Sequence, residues 1–306
     1  MSGPADPDRT ARALAAAVEA GRGLGLDVAE PVVLHDIFSV VVHLAPSPVV
    51  VRVPTVLPIG TTPTEQALQQ KRELDVLGWL KAQGHPVVGP SPLVPAEPVA
   101  LQGFSMTFWE WVDHRPPAEQ DWNAHADRVA DLHKAMRGYP GELGFLSFLA
   151  DVPAGLEFLR DRPDLLHPDD LARATREWRE LAPILTPEGF AEEFPDTEIQ
   201  PVHGDAPSYN VLETPEGVLD ADFELVCRGP VELDLAHLSP EAIAAYTARA
   251  TELGMRAPDE RVLAAMNSAR MLLLISVLSL VPQLPILADG LKDFVEQWRE
   301  RPSGDR

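Results

Sequence analysis

Residues 199–238 read IQPVHGDAPSYNVLETPEGVLDADFELVCRGPVELDLAHL. Two short β-type runs, 200–202 and 211–212, bracket a loop that carries His203, Gly204, Asp205 and Asn210. A turn at 214–217 (TPEG) follows, and a third run, 218–219, leads into Asp220, Ala221, Asp222, Phe223 and Glu224. Read as a hairpin, the stretch sets Asp205, Asn210 and Asp222 at neighbouring strand ends. Two carboxylates and an amide crowded there are unsuited to a core, because a buried charge requires a partner or a metal. They suit a divalent-metal and base site. Asp205, on a turn, can take a proton from an incoming hydroxyl. Asn210 offers a neutral carbonyl oxygen and Asp222 a charged one, both suited to a hard cation such as Mg²⁺. The alternative is an ordinary polar hairpin with turn-type Asp and Asn.

Working outward towards the N-terminus, residues 8–20 are alanine-rich with apolar positions at helical spacing, and Gly21, Gly23 and Gly25 end that helix. Three β-branched runs follow, at 31–34, 39–44 and 48–53, and the Ala45-Pro46-Ser47-Pro48 connection joins the last two as a hairpin. Residues 64–82 predict an amphipathic helix with Thr64 as N-cap and with Leu68, Leu74, Leu77 and Leu80 towards one side. Two further runs, 93–101 and 104–111, complete a small antiparallel sheet with one packed helix.

Residues 112–119 (VDHRPPAE) are polar and proline-containing, and the boundary falls there. From residue 121 the pattern is helical, at 122–136, 155–161, 168–181, 187–194, 240–253, 260–280 and 286–300. The fold class is therefore α+β: a β-rich N-terminal lobe over residues 1–112 and a larger, mainly helical lobe over 113–306 into which the 199–238 stretch is inserted. His133 and His237 lie on apolar-periodic stretches and read as packing residues.

A chain of 306 residues has ample length for two cores, and its net charge of −22 argues against nucleic acid, whose phosphates it would repel. Most of the acid excess lies after Trp111, where it could draw a cationic small molecule or simply keep the surface soluble. Cys227 is the only cysteine, so a disulfide framework and a cysteine zinc site are excluded. No signal peptide is visible at the start, and the longest apolar run, 271–281, is too short for a bilayer. A cytoplasmic monomer with no membrane partner is the expectation. G-x-S-x-G and Walker A runs are both missing.

H-G-D-x-x-x-x-N at 203–210, D-F-E at 222–224 and D-L-A at 234–236 together resemble the aminoglycoside phosphotransferase and choline kinase family, which has the two-lobed protein kinase-like fold. The likeness spans nearly the whole chain. It implies that Asp205 is the catalytic base, that Asn210 and Asp222 hold Mg²⁺, that Asp234 braces the loop, and that His203 anchors it by hydrogen bonds. It also implies a basic residue on the third strand, Arg52, paired with an acid on the next helix, Glu73. Arg52 keeps the positive charge needed on nucleotide phosphates and can bind them through its fork. The segment 108–112, with Trp109, Glu110 and Trp111, would take the place of the linker that bonds adenine through its backbone, although both tryptophans also read as packing residues.

Two departures from the family pattern stand out. The turn at 36–39 (DIFS) contains no glycine, where kinase-like proteins often have a Gly-rich phosphate loop, and Ser39 is the candidate phosphate donor there. Tyr209 stands where relatives often have glycine. The resemblance implies a small-molecule kinase that moves the γ-phosphoryl of ATP or GTP, with Mg²⁺, onto a hydroxylated, possibly cationic substrate. The alternative of another class is a nucleotide-binding pseudokinase with a regulatory or scaffolding role. A protein substrate is disfavoured, because only residues 223–233 separate Asp222 from Asp234, too few for a long activation segment.

Overall fold

A computed structural model describes residues 7–115, 121–206 and 210–301. Its elements are, in order, α1 (Pro7–Gly23), β1 (Val28–Asp36), β2 (Ser39–Pro46), β3 (Val49–Pro54), α2 (Pro63–Ala82), β4 (Val99–Leu101), β5 (Phe104–Glu110) and α3 (Trp122–Met136). There follow α4 (Val152–Leu159), α5 (Pro168–Leu181), α6 (Pro187–Glu193), β6 (Gln200–Val202), β7 (Val211–Thr214), β8 (Gly217–Asp220) and β9 (Cys227–Gly229). Four helices close the chain: α7 (Pro240–Glu252), α8 (Glu260–Val277), α9 (Leu287–Gly290) and α10 (Lys292–Glu300). The chain divides into two units, the first holding residues 1–117, 211–224 and 282–286 and the second the remainder.

In the first unit the β-branched runs build an antiparallel sheet in the order β1-β2-β3-β5-β4. Strand alternation sends Val40, Val42 and Leu44 of β2, Val49, Val51 and Val53 of β3, and Met106 and Phe108 of β5 to one face. That face forms one core with Ala13, Ala16, Ala17 and Ala20 of α1, small side chains that let the helix lie close to the sheet. The register pairs Val50 with Trp109 and Arg52 with Thr107, so Arg52 belongs to the face turned away from α1. Helix α2 starts one residue before the expected helix, and its N-cap is Thr62 rather than Thr64. Pro63 fits the first helical turn, and Thr62 and Glu65 close a capping box. Leu74, Leu77 and Leu80 are buried, but Leu68 is 57% exposed. It lies about two and a half turns before Leu77 and therefore on the opposite side of the helix. The strand expected over 93–101 is reduced to β4, since Pro92, Pro95 and Pro98 remove ladder donors ahead of it.

The 199–238 stretch forms two ladders rather than one. β7 and β8 make a hairpin closed by Thr214 and Gly217, and it belongs to the first unit, where β8 runs beside Pro86–Val88 through the Asp220 backbone. β6 pairs instead with β9, a three-residue strand with no hydrophobic alternation to announce it. In the second unit Ala126, Val129 and Ala130 of α3 share a core with Ala242, Tyr246 and Ala250 of α7. Helix α4 starts at Val152, after a 3₁₀ turn over Ser147–Asp151, and the helix expected over 286–300 is split into α9 and α10. The apolar run at 271–281 continues a longer helical segment. Glu260–Leu280 is long and apolar enough by composition to cross a membrane (mean hydropathy 1.7), and 56% of that window is buried within the fold. Helix α8 packs against α4, α5 and α10 of its own unit. His237 is not a packing residue: it is exposed, at φ 66°, with its N–H donated to Asn267 Oδ1 at 2.7 Å.

Leu80→Ala should cost roughly 2–5 kcal/mol in urea unfolding, because it empties a fully buried site. Leu68→Ala should change stability by less than about 0.5 kcal/mol. Equal costs would contradict the assigned face of α2.

Candidate active site

The loop after β6 is shaped by a buried anion. Asp234 has a fully buried carboxylate whose Oδ2 accepts the His203 N–H at 2.8 Å and whose Oδ1 accepts the Gly204 N–H at 2.8 Å. His133 of α3 also reaches Oδ2, through Nε2 at 3.0 Å, while its Nδ1 meets the Tyr246 hydroxyl at 2.8 Å. Burial by itself would raise the Asp234 pKa. The His133 hydrogen bond and the nearby Arg270 guanidinium outweigh it, and the carboxyl is held below its ordinary value. The loop needs glycine at one point: Gly204 sits at φ 85°, and a Cβ there would come within 2.1 Å of the Leu225 carbonyl oxygen.

Asp205 projects from this loop with its side chain about one-third exposed, and its own N–H is donated to His203 Nδ1 at 3.2 Å. Asn210 closes the loop by donating Nδ2 to the Asp205 backbone oxygen at 2.8 Å and to Asp205 Oδ2 at 3.2 Å. With the amide nitrogen so engaged, the amide oxygen is the Asn210 atom suited to a hard cation. Two residues the sequence reading passed over complete the loop. Arg270 of α8 donates to the Gly204 carbonyl at 2.6 Å and reaches Asp205 Oδ1 at 3.3 Å. His125 of α3, nearly fully buried, meets the Ala206 carbonyl through Nε2 at 2.6 Å. The sequence does carry a trace of Arg270, which stands directly before the apolar run at 271–281. The family departure at Tyr209 lies outside the described residues.

In the first unit Arg52 gathers three carboxylates. It is bonded to Glu73 of α2 and to Asp222, and its Nη1 lies 3.4 Å from Glu224. The Arg52 and Glu73 side chains are nearly buried, whereas Asp222 and Glu224 are about half exposed. Burial pushes the Glu73 carboxyl up to about 8, with Arg52 opposing and Asp222 and Glu224 reinforcing the rise. Burial would lower Arg52, but Glu73, Asp222 and Glu224 more than offset it, so the guanidinium stays charged. Asp222 itself has φ 61°, a left-handed conformation uncommon outside glycine and concentrated at functional positions.

The remaining candidates are placed as follows. Ser39 is buried and opens β2 opposite Pro54. Trp109 is a buried sheet residue, its Nε1 donating to Thr107 Oγ1 at 2.9 Å and its ring 5.8 Å from the Arg52 guanidinium. The Glu110 carboxylate is bonded to Lys81 and accepts the Gly89 N–H. Trp111 stacks on His43 with ring centroids 3.9 Å apart. The N–H groups of Glu110 and Trp111 are donated to Gly89 O and Pro48 O, at 3.1 and 3.0 Å. Neither amide is a ready donor for an adenine edge.

The His125 pKa is lowered by burial, with the Ala206 bond opposing. As pH falls below the ordinary value of 6.5 the unfolded chain binds this proton first, so stability should decline there. His125→Gln retains a donor for Ala206 and removes the titration. Its melting temperature should fall less than that of the wild type between pH 7 and 5. Parallel curves for the two proteins would refute the linkage.

A search of curated proteins finds no match to this chain. Among solved structures, the microcompartment-associated aminopropanol kinase aligns at 17% identity and TM-score 0.60 over 92% of this chain and 94% of its own. Aminoglycoside phosphotransferase APH(3'')-Id from Streptomyces rimosus aligns at 17% identity and TM-score 0.57, over 82% and 95% respectively. The amicoumacin kinase hAmiN, solved in complex with AMP-PNP, Ca²⁺ and Ami, aligns at 14% identity and TM-score 0.60 over 87% of each chain. These likenesses show the kinase-like fold. The model of the phosphotransferase enzyme family matches residues 40–266, a range that contains Arg52, Glu73, Asp205, Asn210, Asp222 and Asp234. With well over half of its length matched, the chain belongs to the phosphotransferase enzyme family, and it is an enzyme that transfers a phosphoryl group to a hydroxyl-bearing substrate.

Proposed function

We propose that the enzyme is a small-molecule kinase that moves the γ-phosphoryl group of ATP or GTP onto a hydroxyl, with Asp205 as the base. The observation that carries this reading is the Asp205 carboxylate itself. It is partly exposed on a loop whose backbone is pinned by Asp234, with Oδ2 bonded to Asn210 and Oδ1 close to Arg270. A carboxylate so fixed can orient an acceptor hydroxyl and take its proton as the phosphoryl group arrives. Relatives by fold add support for the donor, since one is a kinase solved with AMP-PNP and another a spectinomycin phosphotransferase solved with ADP.

Arg52, braced by Glu73, is assigned to the nucleotide phosphates. Asn210 and Asp222 are assigned to Mg²⁺, which would supply charge neutralisation on those phosphates. The donor set fits: an amide oxygen and a carboxylate are hard ligands, and the half-exposed Asp222 and Glu224 together outweigh the single charge of the Arg52 guanidinium. Among the described residues no group of three or more His, Cys, Asp or Glu forms a ready-made metal cage. The remaining coordination would fall to phosphate and water, as is usual for Mg²⁺ on nucleotides. The net charge of −22 favours a cationic acceptor by attraction.

The test is an ADP-release assay with Mg·ATP or Mg·GTP against aminoglycosides, macrolides, amino alcohols and sugars. Acceptor-dependent ADP release is expected for at least one class. Asp205→Asn should lower it by at least ~10²-fold while Mg·ATP still raises the melting temperature. Undiminished turnover in that variant would eliminate Asp205 as base. Asp222→Asn should weaken the Mg²⁺ dependence of nucleotide stabilisation, and an unchanged Mg²⁺ titration would remove it from the ligand set.

A further inference from the structure

We propose that Arg270 is the positioning residue for the base, fixing the Asp205 carboxylate in the orientation that meets the acceptor hydroxyl. The inference rests on the reading of Asp205 as base. Arg270 lies beyond the residues matched by the family model, in α8, and its side chain is only 12% exposed. A guanidinium in such a place is costly unless its donors are used. Two of its nitrogens go to neighbouring residues of one loop: Nη2 to the Gly204 carbonyl at 2.6 Å and Nη1 to Asp205 Oδ1 at 3.3 Å. Its Cζ lies over the Phe148 ring, 5.6 Å from the centroid, which restricts the fork on a third side.

The consequence for Asp205 is specific. Arg270 takes Oδ1 while the Asn210 amide takes Oδ2 at 3.2 Å, so neither oxygen is left to rotate freely about the side chain. Backbone and carboxylate are held by the same rigid group, because the Nη1 and Nη2 arms cannot move independently. A lysine could keep the charge, but a single ammonium on a flexible stem would not fix both oxygens in one plane. The arrangement therefore assigns Arg270 to the geometry of the transfer step. Nucleotide binding does not pass through it.

The experiment compares Arg270→Met, Arg270→Lys and the wild type, with Asp205→Asn as reference. Two acceptors are used: the best compound from the panel above and water, read as Mg·ATP hydrolysis. Arg270→Met should lower kcat roughly 10- to 100-fold, the scale expected when a reacting group is misplaced by about an ångström. KM for ATP should stay unchanged, and Arg270→Lys should recover part of the kcat. A residue that serves folding alone would lower the melting temperature and leave kcat per folded molecule the same in the Arg, Lys and Met proteins. If the Met variant is too unstable to assay, Arg270→Lys and Arg270→Gln decide: reduced kcat at wild-type KM supports the role, and wild-type kcat in both overturns it. Wild-type kcat in the Arg270 variants together with an inactive Asp205→Asn would refute the Arg270 role and leave the base in place. Full activity of Asp205→Asn, or no wild-type turnover with any acceptor, would overturn the base and this inference with it.

Discussion

The buried carboxylate of Asp234 is the constraint on which the loop after β6 depends. A charge removed from water is tolerated only when its lone pairs are satisfied, and here two backbone N–H groups and the His133 ring do so. The bonds run in both directions of reasoning. Asp234 can remain buried because the loop supplies donors, and the loop holds its shape because Asp234 will accept them nowhere else. His133 carries the constraint outward to Tyr246 and so ties α3 to α7, the pair of helices that shares the Ala126–Ala250 core. Asp205 follows His203 and Gly204 directly, so its position is inherited from this anchor.

In a chain with 47 acidic and 25 basic residues, arginines at the site must satisfy more than one acceptor each. Arg52 serves Glu73, Asp222 and Glu224, and Arg270 serves Gly204 and Asp205. A guanidinium suits such sharing because its donors are spread over a rigid plane and it keeps its charge when buried. This explains why an arginine can stand on β3: a compact ammonium there would find it harder to hold a buried and a half-exposed carboxylate together. The surplus of acid around Arg52 leaves the half-exposed Asp222 suited to a cation.

The loop residues and most elements were legible because they leave local signals. Asp205 and Asn210 stand at a recognisable spacing, the β-branched runs alternate, and α3 and α5 follow helical periodicity to their ends. What escaped reading depends on partners far away in the chain. Arg270 is separated from Asp205 by 65 residues, and nothing in the neighbouring apolar sequence says where its guanidinium goes. His133 reads as a packing histidine because it lies on an apolar-periodic stretch, His125 carries no local signal, and only the fold shows that their nitrogens hold Asp234 and Ala206. β9 is three residues with an exposed arginine in the middle, too short to display a period. The occupied amides of Glu110 and Trp111 were equally invisible, since their acceptors come from Gly89 and Pro48.

The glycine-free turn between β1 and β2 can be understood from the same kind of long-range contact. A glycine-rich loop is needed where the backbone must visit left-handed conformations, but none of residues 36–39 has a positive φ here. The turn is held from two sides. Arg9 of α1 bonds Asp36 and donates to the Ile37 carbonyl at 3.1 Å, and Thr10 also bonds Asp36. The N–H groups of Thr55 and Val56 converge on the Phe38 carbonyl at 2.9 and 3.0 Å. Helix α1 thus supplies by side-chain contact the definition that glycine would withhold. A phosphate meeting this turn would meet a surface whose shape is already set, so the ordering cost of binding is lower and the freedom to wrap the phosphate is smaller.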